Sequence, residues 1–174
     1  MNYLIETDRL YMRRFLPTDT QDMFEMDSNP KVHKFLGNNP VKTIEESEKM
    51  VAGVIQQYSD YDIGRLAMIL KSTNEFVGWS GLKYEREVRQ EFNYYDVGYR
   101  LKESFWGHGY ATEAAIASLD YGFNTLNLKE INAAADVEHT VSNKILRNIG
   151  MQPDGTFFLE GIKCNWYTAI NPEI

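Results

Sequence analysis

The chain has 174 residues, of which 43% are hydrophobic and 25% charged; this is enough to bury one core and far from the composition of disordered or fibrous chains. Its formal net charge is -7, and Lys and Arg are scattered rather than gathered on a basic stretch, which argues against nucleic acid as a partner. A single cysteine, Cys164, excludes an intramolecular disulfide, and no apolar run approaches the roughly 20 residues that a membrane-spanning helix needs.

Met1 to Arg14 lack the apolar continuity of a signal peptide, so the expectation is a cytoplasmic protein with one domain over 1–174 and no membrane partner. Thr7 to Phe15 is rich in large side chains and is closed by Pro17, which predicts an early strand running into a turn. Thr18 and Asp19 then offer N-caps for a helix through Met26. Thr43 and Glu46 have capping-box spacing ahead of the stripe Met50, Val51, Val54, Ile55 and Tyr58, which predicts a helix over Ile44 to Tyr58. Strands are expected over Leu66 to Lys71 and Phe76 to Leu82, joined by a polar hairpin connection, with a surface loop over Glu85 to Glu91.

Tyr95, Val97, Tyr99 and Leu101 alternate with Asp96, Gly98 and Arg100, the period of a strand with one packed face. A helix of small residues is predicted over Tyr110 to Asn124, with alanines at 111, 114, 115 and 117 that let it lie close to a sheet. Lys129 to Ala135 reads as a strand and Ser142 to Asn148 as a short helix with Gly150 as its left-handed cap. Thr156 to Ile170 is expected to supply closing strands.

Between the alternating strand and the small-residue helix lies Trp106, Gly107, His108, Gly109, Tyr110, Ala111, Thr112. Two glycines and an alanine expose backbone there, and successive N–H groups at a helix start bind anions, so a pyrophosphate is a natural ligand. The spacing alone is equally compatible with a tight, well-packed connection. No Lys-Ser or Lys-Thr follows as a P-loop requires, and a dinucleotide fingerprint fits poorly, because Thr112 stands at its third small position.

WGHGYATEA over Trp106 to Ala114 resembles the WGKGYATEA of the GNAT acetyltransferases, and within them of the RimJ/RimL-type N-acetyltransferases. Four further segments resemble that group at its spacing. Glu6 to Leu10 with Met12, Arg13 and Arg14 is similar to its opening ETERLxLR strand, and Glu75 to Gly78 with Gly81 to its ELIGxxGL strand. Asp96 to Tyr99 resembles EIGY, while His139 to Ser142 leading to Gly150 and Met151 resembles its NxxS helix.

The resemblance implies an α/β GNAT fold: a mixed, mostly antiparallel sheet splayed between the fourth and fifth expected strands, with helices on both faces. It implies acetyl transfer from acetyl-CoA to a primary amine by direct attack, the acceptor being a protein N-terminus or a small amine, with no metal. The alternative is a non-catalytic acetyl-CoA-binding module. By similarity the turn Trp106, Gly107, His108, Gly109, Tyr110, Ala111 and Thr112 would hold the pyrophosphate, and Val97, Gly98, Tyr99 and Leu101 would line the pantetheine, as an added strand does. Trp106 stands where the wider superfamily has Gln or Arg, His139 replaces an Asn that contacts the pantetheine arm, and Leu146 stands where a Tyr commonly serves as acid.

Ser142 occupies the position implied to stabilise the departing thiolate, an N-cap being its bland alternative. Loss of a proton from the acceptor amine points first to Asp96, which could equally be an ordinary exposed or salt-bridged carboxylate, and second to Glu113, whose plainer reading is a complement to the helix dipole in the first turn, where facing the cofactor phosphates would be repulsive. Phe35, Trp79 and Phe92 are candidate walls of the acceptor side, with core packing as the plainer reading of each. His33 shows no partner pattern, dispersed histidines with one cysteine disfavour a metal, and a homodimer is compatible with the resemblance.

Overall fold

The computed structural model describes residues 3–173; Met1, Asn2 and Ile174, which the expected domain and N-terminal reading include, lie outside the described residues. The early strand expected over Thr7 to Phe15 is β2 (Leu10–Arg13), and a further short strand, β1 (Ile5–Glu6), precedes it; the chain folds back at Thr7, whose N–H donates to the Leu10 carbonyl at 3.0 Å. A 3-10 turn at Pro17–Asp19 precedes α1 (Thr20–Asp27). Asp19 is spent on structure there: it accepts from the Leu16 N–H and from both terminal nitrogens of Arg13.

Helix α2 (Ile44–Tyr61) runs three residues beyond its predicted end and stops at Asp62 in the left-handed region. The expected capping box does not form; Glu46 instead accepts from the Lys42 N–H at 2.9 Å. Then follow β3 (Leu66–Leu70), β4 (Phe76–Glu85) and β5 (Tyr94–Leu101), and α3 (Tyr110–Asp120), whose last turns widen into a π-turn over Tyr121–Thr125. The chain closes with β6 (Glu130–Asp136), α4 (Thr140–Asn148), β7 (Gln152–Leu159) and β8 (Ile162–Ile170).

The eight strands form one sheet in the order β1-β2-β3-β4-β5-β6-β8-β7, antiparallel except for β5 beside β6. That parallel pair is in register only at Asp96 and Asn132, after which the two strands part. The sheet is thus splayed where expected, although the extra N-terminal strand makes the parting strands β5 and β6 of the chain. Helices cover both faces. Adjacent residues of a strand point to opposite faces: the Arg100 guanidinium reaches Asp27 of α1, whereas the Tyr99 hydroxyl reaches Ser142 of α4.

The core falls into two clusters divided along the sheet rather than by face. Met23, Met26 and Val51 from α1 and α2 pack with Leu10, Met12 and Met68, while Leu119, Leu146, Ile131 and Tyr167 form a second cluster around β6 and β8. Gly78, at φ +153, permits β4 and β5 to approach at the bulge beside Met68 and Ile69. A Cβ there would lie 2.1 Å from the Arg100 carbonyl oxygen, which is backbone and cannot swing aside. Gly78→Ala is therefore expected to cost about 3 kcal/mol or more of unfolding free energy. Urea denaturation checks this, and a loss below about 1 kcal/mol would contradict the close approach.

Candidate active site

The turn 106–112 is held open by side chains that bond backward. The Trp106 indole N–H donates to the Leu101 carbonyl at 3.0 Å, and His108 Nδ1 lies 2.9 Å from the Trp106 carbonyl oxygen. Gly107 and Gly109 take φ of +78 and +81, so the chain turns left-handed twice before α3 begins. The first α3 bond runs from the Glu113 N–H to the Gly109 carbonyl. Among the described residues, no protein group accepts from the amides of Gly107 to Thr112. Those N–H groups and the positive end of α3 make a site for an anion.

Arg9 brings to the turn a guanidinium that its place in the sequence does not reveal, paired there with Glu113. From the β1–β2 turn it donates Nη1 to the His108 carbonyl at 2.9 Å, and its guanidinium lies 4.5 Å from the centre of the Tyr110 ring. Its other nitrogens bind Glu113, which also accepts from the Thr7 hydroxyl and the Arg9 N–H. Burial alone would raise the Glu113 carboxyl, but these bonds together hold it below the usual carboxylate range. As second candidate for a base, Glu113 is thus found clasping the first turn of α3 to the β1–β2 turn.

Beyond Asp96 the edge of β5 that faces β6 is free of ladder pairing. Val97 and Leu101 are buried in the two core clusters, so what they offer a ligand is backbone rather than side chain. The Tyr99 hydroxyl spans the gap, 3.1 Å from Ser142 Oγ and 3.2 Å from the Ser142 carbonyl oxygen. Burial pushes this phenol up to about 12, against the opposing bond with Ser142, so it keeps its proton at neutral pH. Helix α4 begins earlier than predicted, and the cap is the His139 ring, which accepts from the Ser142 N–H at 3.4 Å. Ser142 therefore lies inside the first turn and is not the N-cap.

On the other face Asp96 pairs with Arg65, which also donates to the Asp96 carbonyl at 2.8 Å and to the Gly81 carbonyl. The Asp96 side chain is 17% exposed, and burial raises its carboxyl above the ordinary range against the pull of Arg65. Gly98 leaves room for this guanidinium, since a Cβ there would meet Arg65 Nη2 at 2.7 Å. Trp79 lies under both Arg65 and Arg100, at 5.2 and 5.1 Å from ring centre to guanidinium carbon.

Of the three expected acceptor-side aromatics, Phe35 is brought to the mouth of the gap, stacked on His139 at 4.2 Å with an angle of 20°. Trp79 joins the Arg65 and Asp96 group, and Phe92 sits apart, edge-on to Trp166 at 6.0 Å. His33, for which the sequence offers no partner, is buried with Nε2 3.5 Å from Asp27 Oδ1. Cys164 is buried, and among the described residues no three His, Cys, Asp or Glu side chains gather as a metal site.

Comparison with known proteins gives the family and the fold. A family model described as an acetyltransferase (GNAT) domain matches residues 9–152. An uncharacterised N-acetyltransferase, p20 of Bacillus licheniformis, is 30% identical over 149 residues, covering 86% of this chain and 82% of the relative. A GNAT-family acetyltransferase from Bacillus anthracis superposes with a TM-score of 0.81 at 25% identity, over 96% of this chain and 98% of the other. RimL, a ribosomal L7/L12 alpha-N-protein acetyltransferase solved with coenzyme A, superposes at 0.80 with 20% identity, over 97% and 98%.

Gly109→Asp tests the turn directly. The added Cβ would meet only the tip of Arg9, at 3.5 Å, and the left-handed φ of +81 costs a non-glycine residue about 1 kcal/mol, Asp being among the residues that tolerate it best, so the fold is expected to survive while a carboxylate enters the row of amides. Coenzyme A affinity by calorimetry should fall more than about tenfold for one lost charge-assisted contact and one repulsive charge. Unchanged affinity in a folded variant would remove the turn from the site.

Proposed function

The chain belongs to the GNAT acetyltransferase family, and from that premise we propose that it transfers the acetyl group of acetyl-CoA to a primary amine by direct attack with both substrates bound. The observation that carries this reading is the free row of amides from Gly107 to Thr112, set beside the strand edge that β5 exposes where it leaves β6. Gly107, His108, Gly109, Tyr110, Ala111 and Thr112 would hold the pyrophosphate, with Arg9 as an added cation. The β5 backbone from Val97 to Leu101 would pair with the amides of the pantetheine arm. His139, capped on Ser142 and stacked on Phe35, would bound that arm at the start of α4.

In this reading the thioester lies in the gap, with its two sides served by the two faces of the sheet. Asp96 would take the proton that the acceptor ammonium must lose, and Arg65 would fix the orientation of that carboxylate. A carboxyl raised by burial is a better base than an exposed one. The amine nitrogen then forms the C–N bond to the acetyl carbon as the C–S bond breaks. Tyr99 and Ser142, on the opposite face, would give the departing sulfur its hydrogen bond and proton. The acceptor is a protein N-terminus or a small amine.

Thiol release from acetyl-CoA, followed with a panel of amines and N-terminal peptides, tests the reading. Acceptor-dependent release is expected, and tight coenzyme A binding with no such release would instead establish a non-catalytic binding module. Asp96→Asn should lower kcat about 10²-fold to 10⁴-fold with coenzyme A affinity retained. Because burial raises the Asp96 carboxyl, its basic form is lost as pH falls, and kcat/KM should decline on the acid side above the ordinary carboxylate range. A flat acid limb in the wild type, or full activity in the Asn variant, would exclude Asp96 as the base.

A further inference from the structure

Arg89 lies in the irregular segment 86–93 between β4 and β5, and its guanidinium carbon is 4.8 Å from the centre of the Phe92 ring, 4.9 Å from Trp166 and 5.0 Å from Phe157. These three rings come from the loop, β8 and β7. Trp166 is edge-on to both phenylalanines, and Tyr94 of β5 closes the base, 4.7 Å from Trp166 at 79°. Three aromatic walls around one cationic group form a cage for an organic cation, which favours a positive charge through the ring quadrupoles while excluding most of its water.

The cage lies on the face of the sheet that bears Asp96, which is the acceptor side under the proposed function. Trp166 is in register with Ala134 and Thr168 with Asn132, and strand alternation puts Trp166 and Tyr94 on the face that bears Asp96. Along β5, Tyr94 lies two residues before the point where the strands part, so the cage and the gap are separated by on the order of 10 Å. Glu85 and Asp96 stand on the same face, each paired with a cation, Lys83 and Arg65.

Beyond the three rings Arg89 has little to hold it: among the described residues its ion pair, from Nε to Glu91 at 3.2 Å, is with a carboxylate whose side chain is 67% exposed, and Phe92 is 43% exposed at the outer wall. Exchange of one cation for another therefore replaces like contacts with like inside the rings. We propose that the cage of Phe92, Phe157 and Trp166 is a subsite for the remote cationic group of the acceptor amine, and that Arg89 fills it as an internal plug until such an acceptor displaces it. The proposal rests on the acetyl-transfer reading and narrows its acceptor class to amines with a second ammonium or guanidinium group on the order of 10 Å from the first.

The test compares α,ω-diaminooctane with amino-octanol, in which a neutral hydroxyl replaces the far ammonium. Calorimetry on Arg89→Ala should show the diamine binding about tenfold more tightly than to wild type, the gain expected when a competing cation leaves an aromatic cage. Amino-octanol should show no gain. Phe157→Leu added to Arg89→Ala should abolish the gain, and Glu91→Gln, which frees the plug without touching the rings, should give a smaller gain of the same sign. Equal affinities in wild type, Arg89→Ala and Glu91→Gln, or a gain for both ligands alike, would overturn the cage. Thiol release in the same samples separates the two claims: a diamine-specific binding gain without release in any variant upholds the cage and sinks the transferase reading. Acceptor-dependent release without a binding gain sinks the cage alone.

Discussion

The parting of β5 from β6 after a single registered pair, Asp96 beside Asn132, is the constraint on which the rest of the molecule depends. Backbone groups inside a sheet are ordinarily consumed by their neighbours, and leaving a strand edge open costs stability unless something else satisfies it. Here the opening sits between two helix starts, those of α3 and α4, which follow the two parting strands. Unpaired strand amides and unpaired helix amides therefore face one cleft, and a ligand with a chain of amides ending in a diphosphate meets both needs.

The opening is held by interactions on either side of it. At its base Arg65 binds the Asp96 side chain and two carbonyls, and Gly98 supplies the space for that guanidinium. On the far side buried Asn143 donates to the Asp136 and His139 carbonyls and accepts from Asn165 and Tyr167, which fixes the start of α4 to β6 and β8. Tyr99 then bridges the gap to Ser142, and Arg9 with Glu113 ties the start of α3 to the first strands. Each of these contacts borders the cleft, and all but the Arg9–Glu113 pair are largely buried.

Much of this was legible in the residues because it is local. The alternation from Tyr95 to Leu101, the apolar stripe of α2 and the two glycines of the turn each announce their backbone state within a few positions. The segments WGHGYATEA and DVGY also pointed to the family to which the chain belongs, and so to the splayed sheet. Tertiary partners were not legible. Arg9 reaches His108 and Glu113 from about a hundred positions away, Arg65 finds Asp96 across β4, and Phe35 meets His139 only because the α1–α2 connection folds over the mouth of the gap. Helix ends moved for the same reason: α4 starts at Thr140 because the His139 ring caps it, a role that Ser142 seemed better suited to by residue type. The capping box of α2 failed because Glu46 found the Lys42 amide instead.

The central claim is that the amides at the start of α3 receive the diphosphate of coenzyme A, and backbone amide resonances report it most directly. Titration of the nitrogen-15-labelled protein with coenzyme A should move the Gly107 to Thr112 amide protons downfield together, as new hydrogen bonds to phosphate oxygens form. Should those six resonances stay fixed while saturable shifts cluster elsewhere in the chain, the ligand binds at another place and the account is wrong.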